Sequence, residues 1–113
     1  MPITNDTILN HAFLREMYSD SYYPDHVLDK GNGILLDLCT AIEEAPPASE
    51  AALYELTAVA TERFNALEED FHAAGSGIET IAREAICEDF FFVASAYGFP
   101  DADPEALVAE RDW

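Results

Sequence analysis

The sequence predicts an all-α fold, a single compact bundle of four or five helices over residues 1–113, and three observations carry that expectation. Apolar residues recur at steps of three and four along most of the chain, the spacing that lines one face of a helix. Pro, Gly and Ser fall between those periodic stretches, where helices stop and restart. No segment shows the strict alternation or the tight hairpin turns of a sheet. A chain of 113 residues buries roughly two-thirds of the surface it would expose unfolded, enough for one self-sufficient core.

From the N-terminus, Ile8 to Tyr18 reads as a short helix with Leu9, Phe13 and Met17 on one stripe. Between Asp25 and Ala45 the pattern Leu28, Gly31, Leu35, Leu38, Ile42 favours one helix, although Gly31 and Gly33 each cost about 1 kcal/mol inside it. Gly31 would there admit a close neighbour, and the alternative is a helix that starts at Ile34. After Pro46 and Pro47, Ser49 is the expected N-cap of a helix running to about Ala73, with Leu53, Leu56, Ala60, Phe64, Leu67 and Phe71 on its face and Gly75 as its stop. Ser76-Gly77-Ile78-Glu79 has the form of a capping box and opens a helix to about Tyr97, ended by Gly98. Its apolar positions, including Ile81, Ile86, Phe90, Phe92 and Val93, go most of the way round, so it should be the most buried helix. The short link predicts that 49–73 and 76–97 pack as an antiparallel hairpin. Asp103-Pro104-Glu105 supplies an N-cap, a proline at the first helical position and an acid at the positive end of the dipole, opening a short helix through Ala109, and Trp113 should fold back on the bundle.

The charge excludes several kinds of work. Twenty-three Asp and Glu face five Lys and Arg, a net −18 on a chain that is 50% apolar. A disordered acidic tail would lack that apolar fraction, and the acids are spread evenly, ten before Thr57 and thirteen after it. Such a surface repels phosphate backbones and anionic lipid, so nucleic acid and membrane are excluded as partners and a basic protein or a metal ion is the electrostatically natural one. The plainer reading is that the charge only keeps the protein soluble. No secretory h-region or run of eighteen apolar residues is present, so a cytoplasmic location is expected. Cys39 and Cys87 stand far apart among apolar residues and read as buried thiols.

Several strings, among them Asp20-Ser21-Tyr22-Tyr23-Pro24, Ala60-Thr61-Glu62-Arg63-Phe64-Asn65, Glu88-Asp89-Phe90, Ala96-Tyr97-Gly98-Phe99 and Arg111-Asp112-Trp113, resemble those of a family of short bacterial proteins of unknown function, about 110 residues long. The resemblance covers nearly the whole chain. It implies a bacterial single-domain protein and brings with it no activity, cofactor or catalytic residue.

Chemistry is therefore sought residue by residue. The chain has no Gly-x-Ser-x-Gly elbow, phosphate-cradling glycine loop, Cys-x-x-Cys pair or His-Glu-x-x-His helix, so no cofactor is expected and the common signatures of hydrolases, nucleotide enzymes and zinc peptidases are absent, which leaves an unfamiliar active site open. One metal-like pattern, Glu69-x-x-His72, puts a carboxylate and an imidazole on one helix face. A site would need Glu62, one heptad earlier, together with Glu84 and Glu88 from the next helix; the plainer reading is a solvated helix end. The second constellation is the connector Tyr18, Asp20, Tyr22, Tyr23, Asp25 and His26. Tyrosines beside acids suit capture of a basic protein or a cationic ligand, unless the rings simply cap the bundle. The preferred function is an acidic, non-catalytic interaction domain, similar in manner to an immunity or inhibitor protein, and the alternative is a carboxylate-rich metal-binding bundle or metalloenzyme. Lys30 beside Asp29, and Arg83 four residues after Glu79, read as local charge partners.

Overall fold

Six helices run along the chain in a computed structural model that describes residues 3–113: α1 (Asp6–Leu9), α2 (Arg15–Tyr18), α3 (Asp25–Glu44), α4 (Glu50–Ala73), α5 (Thr80–Ala96) and α6 (Pro104–Leu107). Among these residues there is no strand, so the all-α bundle stands. Among the described residues no helix is long and apolar enough to cross a membrane.

The closest and longest packing is between α3 and α4. Two ion pairs fix its sense: Lys30 Nζ meets Asp70 Oδ2 at 3.0 Å and Arg63 Nη1 meets Asp37 Oδ2 at 2.8 Å, so seven steps forward on α3 are seven steps back on α4 and the helices are antiparallel. Gly31 is what lets them approach. A Cβ there would stand 3.0 Å from Leu14 Cδ1 and 3.3 Å from Phe64 Cε1, tighter than ordinary packing. The single helix across Gly31 and Gly33 is present as expected, with Leu28, Leu35, Leu38 and Ile42 buried along it.

Both ends of α4 follow the sequence signals. The Ser49 side chain accepts from Ala52 N–H. At the other end Gly75 takes φ +80°, while Gly75 N–H donates to the His72 carbonyl and Ser76 N–H to the Phe71 carbonyl. These are the two bonds of a Schellman stop, which needs a residue in the left-handed region. α5 ends the same way: Gly98 has φ +91°, and Phe99 N–H donates to the Ala94 carbonyl at 2.8 Å.

The hairpin of 49–73 with 76–97 takes a looser form than the spacing suggested. α4 and α5 meet through the rings of Phe64 and Phe90, centroids 5.8 Å apart and edge-on, while close backbone approach along α4 belongs to α3. Bulky aromatics hold the α4 and α5 axes apart, whereas Gly31 brings the α3 backbone in. α5 is nonetheless the most enclosed long helix, with Thr80, Ile81, Glu84 and Glu88 as its exposed positions. It contacts α1, α2, α3 and α6. Ile81, expected inside, is 63% exposed.

Two local expectations are corrected. The Ser76 capping box does not form: α5 starts at Thr80 with Glu79 at the N-cap position, and Ser76 Oγ is buried without a partner, because the Ser76 backbone is already committed to the α4 stop. The helix over 8–18 is broken into α1 and α2. Ile8 is buried in place of Leu9, which is 59% exposed, and Leu14 takes φ +58° between the two pieces. At the far end α6 is capped by Asp103. Trp113 does fold back, buried and edge-on to Phe64 at 6.3 Å. One cluster of buried apolar side chains runs from Ile8 to Trp113.

Candidate functional site

The tyrosine connector divides once its surroundings are visible. Tyr23 is buried, its ring edge-on to Phe71 at 6.3 Å, so it packs the core and is no surface anchor. Tyr18 is half-buried and donates to Asp29 Oδ1 at 2.6 Å. Burial, followed by the Asp29 carboxylate, pushes its phenol up to about 12. Tyr22 alone presents its ring, 42% exposed, with its hydroxyl 3.4 Å from Glu79 Oε1. The turn that projects it is closed by Asp20, whose carboxylate accepts from Tyr22 N–H at 2.9 Å, an Asx-turn. Asp20, Asp25 and His26 are exposed beside it in sequence, and His26 lines a shallow cleft with Lys30 and Asp70.

The metal constellation is not assembled. Glu62, Glu69, His72, Glu84 and Glu88 are all exposed, and among the described residues no three His, Cys, Asp or Glu side chains stand where they could hold one ion. The physical reason is the looser α4/α5 geometry: those helices are held apart by Phe64 and Phe90, so their outward carboxylates do not converge. His72 turns instead toward the α4–α5 link, its ring atoms 3.5 Å from where a Cβ on Gly77 would sit. Lys30 and Arg83 also differ from their expected local partners. Lys30 crosses to Asp70, and Arg83 Nε donates to the Trp113 carbonyl at 3.3 Å. Cys39 is buried, which pushes its thiol up to about 12, and Cys87 is half-buried.

The most organised polar site was not visible to sequence reasoning. Asp89, on the inner face of α5, has Oδ1 3.0 Å from His11 Nε2, and its Oδ2 accepts from Leu14 N–H at 2.7 Å. Burial pushes the Asp89 carboxyl up, and the two hydrogen bonds oppose that shift. The His11 ring is stacked on Phe92, centroids 3.8 Å apart, and edge-on to Phe13. Asp89 thereby holds the strained Leu14 and breaks the helix that local periodicity favours. A cleft of about 340 Å³ opens beside it, lined by His11, Arg15, Glu16, Glu88 and Asp89 among others. The dyad could orient a proton-transfer imidazole, but the cleft offers no Ser, Thr or Cys nucleophile for it to activate. The only sequence signal was an acid on an otherwise apolar helix face.

A second carboxylate does similar work near the C-terminal end of α3. Glu43 accepts from Thr4 N–H, Thr4 Oγ1, Asn5 N–H and the Tyr97 hydroxyl. The Tyr97 hydrogen bond first, then those from Thr4 and Asn5, hold Glu43 down at about 2.

A family of unknown function (DUF5713) matches residues 7–113. The chain belongs to that family. No curated protein and no solved structure matches it. Membership brings no activity, but the strings that carry the resemblance can be read physically in this member. Asn65 Nδ2 donates to the Glu110 carbonyl and its Oδ1 accepts from Asp112 N–H. Thr61 Oγ1 donates to the Thr57 carbonyl and lies 3.3 Å from that of Leu107. With Phe64 against Trp113 and Asp89 against His11 and Leu14, these side chains tie the ends of the chain to α4 and α5.

Proposed function

We propose that this family member is a single-domain, cytoplasmic, non-catalytic recognition protein that holds a basic protein partner by charge complementarity. The observation that carries the reading is the lack of internal compensation. Among the described residues Lys and Arg form three ion pairs, with Asp37, Asp70 and Glu105, which leaves the great majority of 23 acids facing solvent or taking hydrogen bonds from neutral donors. A field of that size steers a cationic surface toward the molecule and disfavours wrong partners of like charge.

Within that field Tyr22 offers the contact. It is the exposed aromatic ring of its connector, held by an Asx-turn, with Asp20 and Asp25 nearby in sequence and Glu79 at its hydroxyl. A ring of that kind is an economical anchor, because it adds contact area with few rotatable bonds. Tyr18 and Tyr23 support the connector from below.

The test is kinetic and uses a partner captured from the native cell. Tyr22→Ala should mainly raise the off-rate, and Asp20→Asn should mainly lower the on-rate. Capture that returns only neutral or acidic proteins would contradict the reading.

A further inference from the structure

Two cavities adjoin along α5, where Glu88 lines both. The first is the polar cleft beside His11 and Asp89. The second, of about 480 Å³, is lined by Cys87, Glu88, Phe91, Phe92, Ser95 and Pro104, and its walls are almost wholly apolar. The partition between them is the Phe92 ring with the His11 imidazole stacked on it, and Asp89 fixes that imidazole from its other edge. The partition is thus braced by a buried carboxylate, and the pair of cavities is preformed.

The charges on the two floors differ. The polar cleft carries Glu16, Glu88 and Asp89 against the single cation Arg15. Asp89 is occupied by His11 and Leu14, so Glu16 and Glu88 remain as the carboxylates open to a ligand. The groove supplies the half-buried aromatic faces of Phe91 and Phe92, three and four positions beyond Glu88 on the helix. Arg15 offsets one of these carboxylates in the polar cleft, but Glu88 is the one charged residue lining the apolar groove, so an anionic ligand is disfavoured there, and a second copy of this chain would bring its own −18 against the same acids. A neutral apolar ligand would leave Glu88 unused at the rim. The arrangement matches a ligand with an apolar body and a positive head, because an apolar enclosure with few convergent polar groups selects shape while the carboxylate selects charge, and the aromatic walls add attraction for a nearby cation.

We infer that the Phe91–Phe92 groove and the Glu88–Glu16 cleft form one bipartite site, and that its occupant is a lysine or arginine of the basic partner flanked by an aromatic or aliphatic side chain. This rests on the reading of a basic partner given above and locates a second contact on that partner, away from Tyr22 in sequence. The apolar side chain enters the groove over Pro104 and the cation reaches Glu88 across the Phe92 edge.

The test is a titration of the full chain, at low salt, with three blocked tetrapeptides followed by amide chemical shifts. Ac-Ala-Phe-Lys-Ala-amide should move the signals of residues 10–16 and 87–95 as one set. Ac-Ala-Phe-Gln-Ala-amide, which lacks the charge, and Ac-Ala-Ala-Lys-Ala-amide, which lacks the ring, should each bind several-fold more weakly. Glu88→Gln, an exposed substitution, should weaken the first peptide about 3- to 5-fold without altering the shifts of the rest of the bundle. Shifts scattered over the acidic surface, equal binding of the ringless peptide, or indifference to Glu88→Gln would overturn the bipartite site. The two readings separate cleanly. A captured basic partner that binds Glu88→Gln as tightly as wild type, and leaves 87–95 unmoved, overturns this site while the recognition function stands. Localised peptide binding supports this site even if capture refutes the partner.

Discussion

The α3–α4 pair and the α5 half of the molecule are held together by different means. α3 and α4 are long, antiparallel and in close contact, with Gly31 at the crossing and exposed ion pairs Lys30–Asp70 and Arg63–Asp37 along the edge. Their cohesion comes from apolar stripes whose spacing is local. Around α5 the partners, apart from α3, are short pieces, α1, α2, α6 and the C-terminal residues, none long enough to form a stable helix alone. They are fixed by single side chains that reach across the chain: Asp89 to His11 and Leu14, Arg83 to Trp113, and Glu43 on α3 to Thr4, Asn5 and Tyr97. Burial builds the first region, and polar tethers assemble the second around it. The second region also carries the bipartite groove.

The sharpest way to break this contrast is at Phe64, which belongs to both halves through Gly31, Phe90 and Trp113. Phe64→Ala should cost about 3–5 kcal/mol by lost burial and the cavity left behind, read as a shift in the denaturation midpoint at unchanged slope. A variant as stable as wild type would mean that the two halves do not share this ring. Asp89→Ala comes next. It strands the Leu14 N–H and the His11 ring in a buried setting, and should cost about 2–3 kcal/mol. Amide exchange should speed up first over residues 3–18 while α3 and α4 keep their protection; uniform loss of protection would show that the tether region is not a separate unit.

The two glycines of α3 sharpen the comparison by sign. Gly33 has open space where a Cβ would sit, so Gly33→Ala should stabilise by about 1 kcal/mol through helix propensity. Gly31→Ala gains the same propensity but drives a methyl against Leu14 and Phe64, with overpacking of about 1–3 kcal/mol, and should be neutral to destabilising. Equal effects at both sites would remove the close approach from the account. The smallest effect belongs to Glu43. Its folded value of about 2 lies below the ordinary 4.5, so its contribution is complete above about pH 4.5 and is lost as pH falls toward 2. Glu43→Gln should flatten that part of the acid-stability profile, measured by denaturation at a series of pH values.

The same contrast explains what was legible in the sequence. The stripes of α3 and α4, the Ser49 cap and the glycine stops are properties of neighbouring residues, and each of these was readable. Gly31 was readable too, because a glycine kept on an apolar stripe at a helical cost implies a close approach. The break after α1 was not, since its cause is a carboxylate 75 residues away from Leu14. Nor was the division of the tyrosines, because Tyr22 and Tyr23 are adjacent in sequence and only packing against Phe71 sends one of them inward. The metal grouping failed for a related reason: its residues were placed by helix face alone, and the α4/α5 separation set by Phe64 and Phe90 decides whether those faces meet. Net charge needed no structure, and five Lys and Arg against 23 acids already imply few internal ion pairs; which acids those cations meet did need it.

The central claim, that the acidic surface serves recognition, is tested most directly by the association rate of the captured partner as a function of ionic strength. Between about 10 and 500 mM salt the screening length falls from roughly 30 to 4 Å. The account predicts a basic partner whose on-rate drops steeply over that range while its off-rate changes little. A genuine partner with a salt-independent on-rate would contradict it and leave the charge with a solubilising role alone.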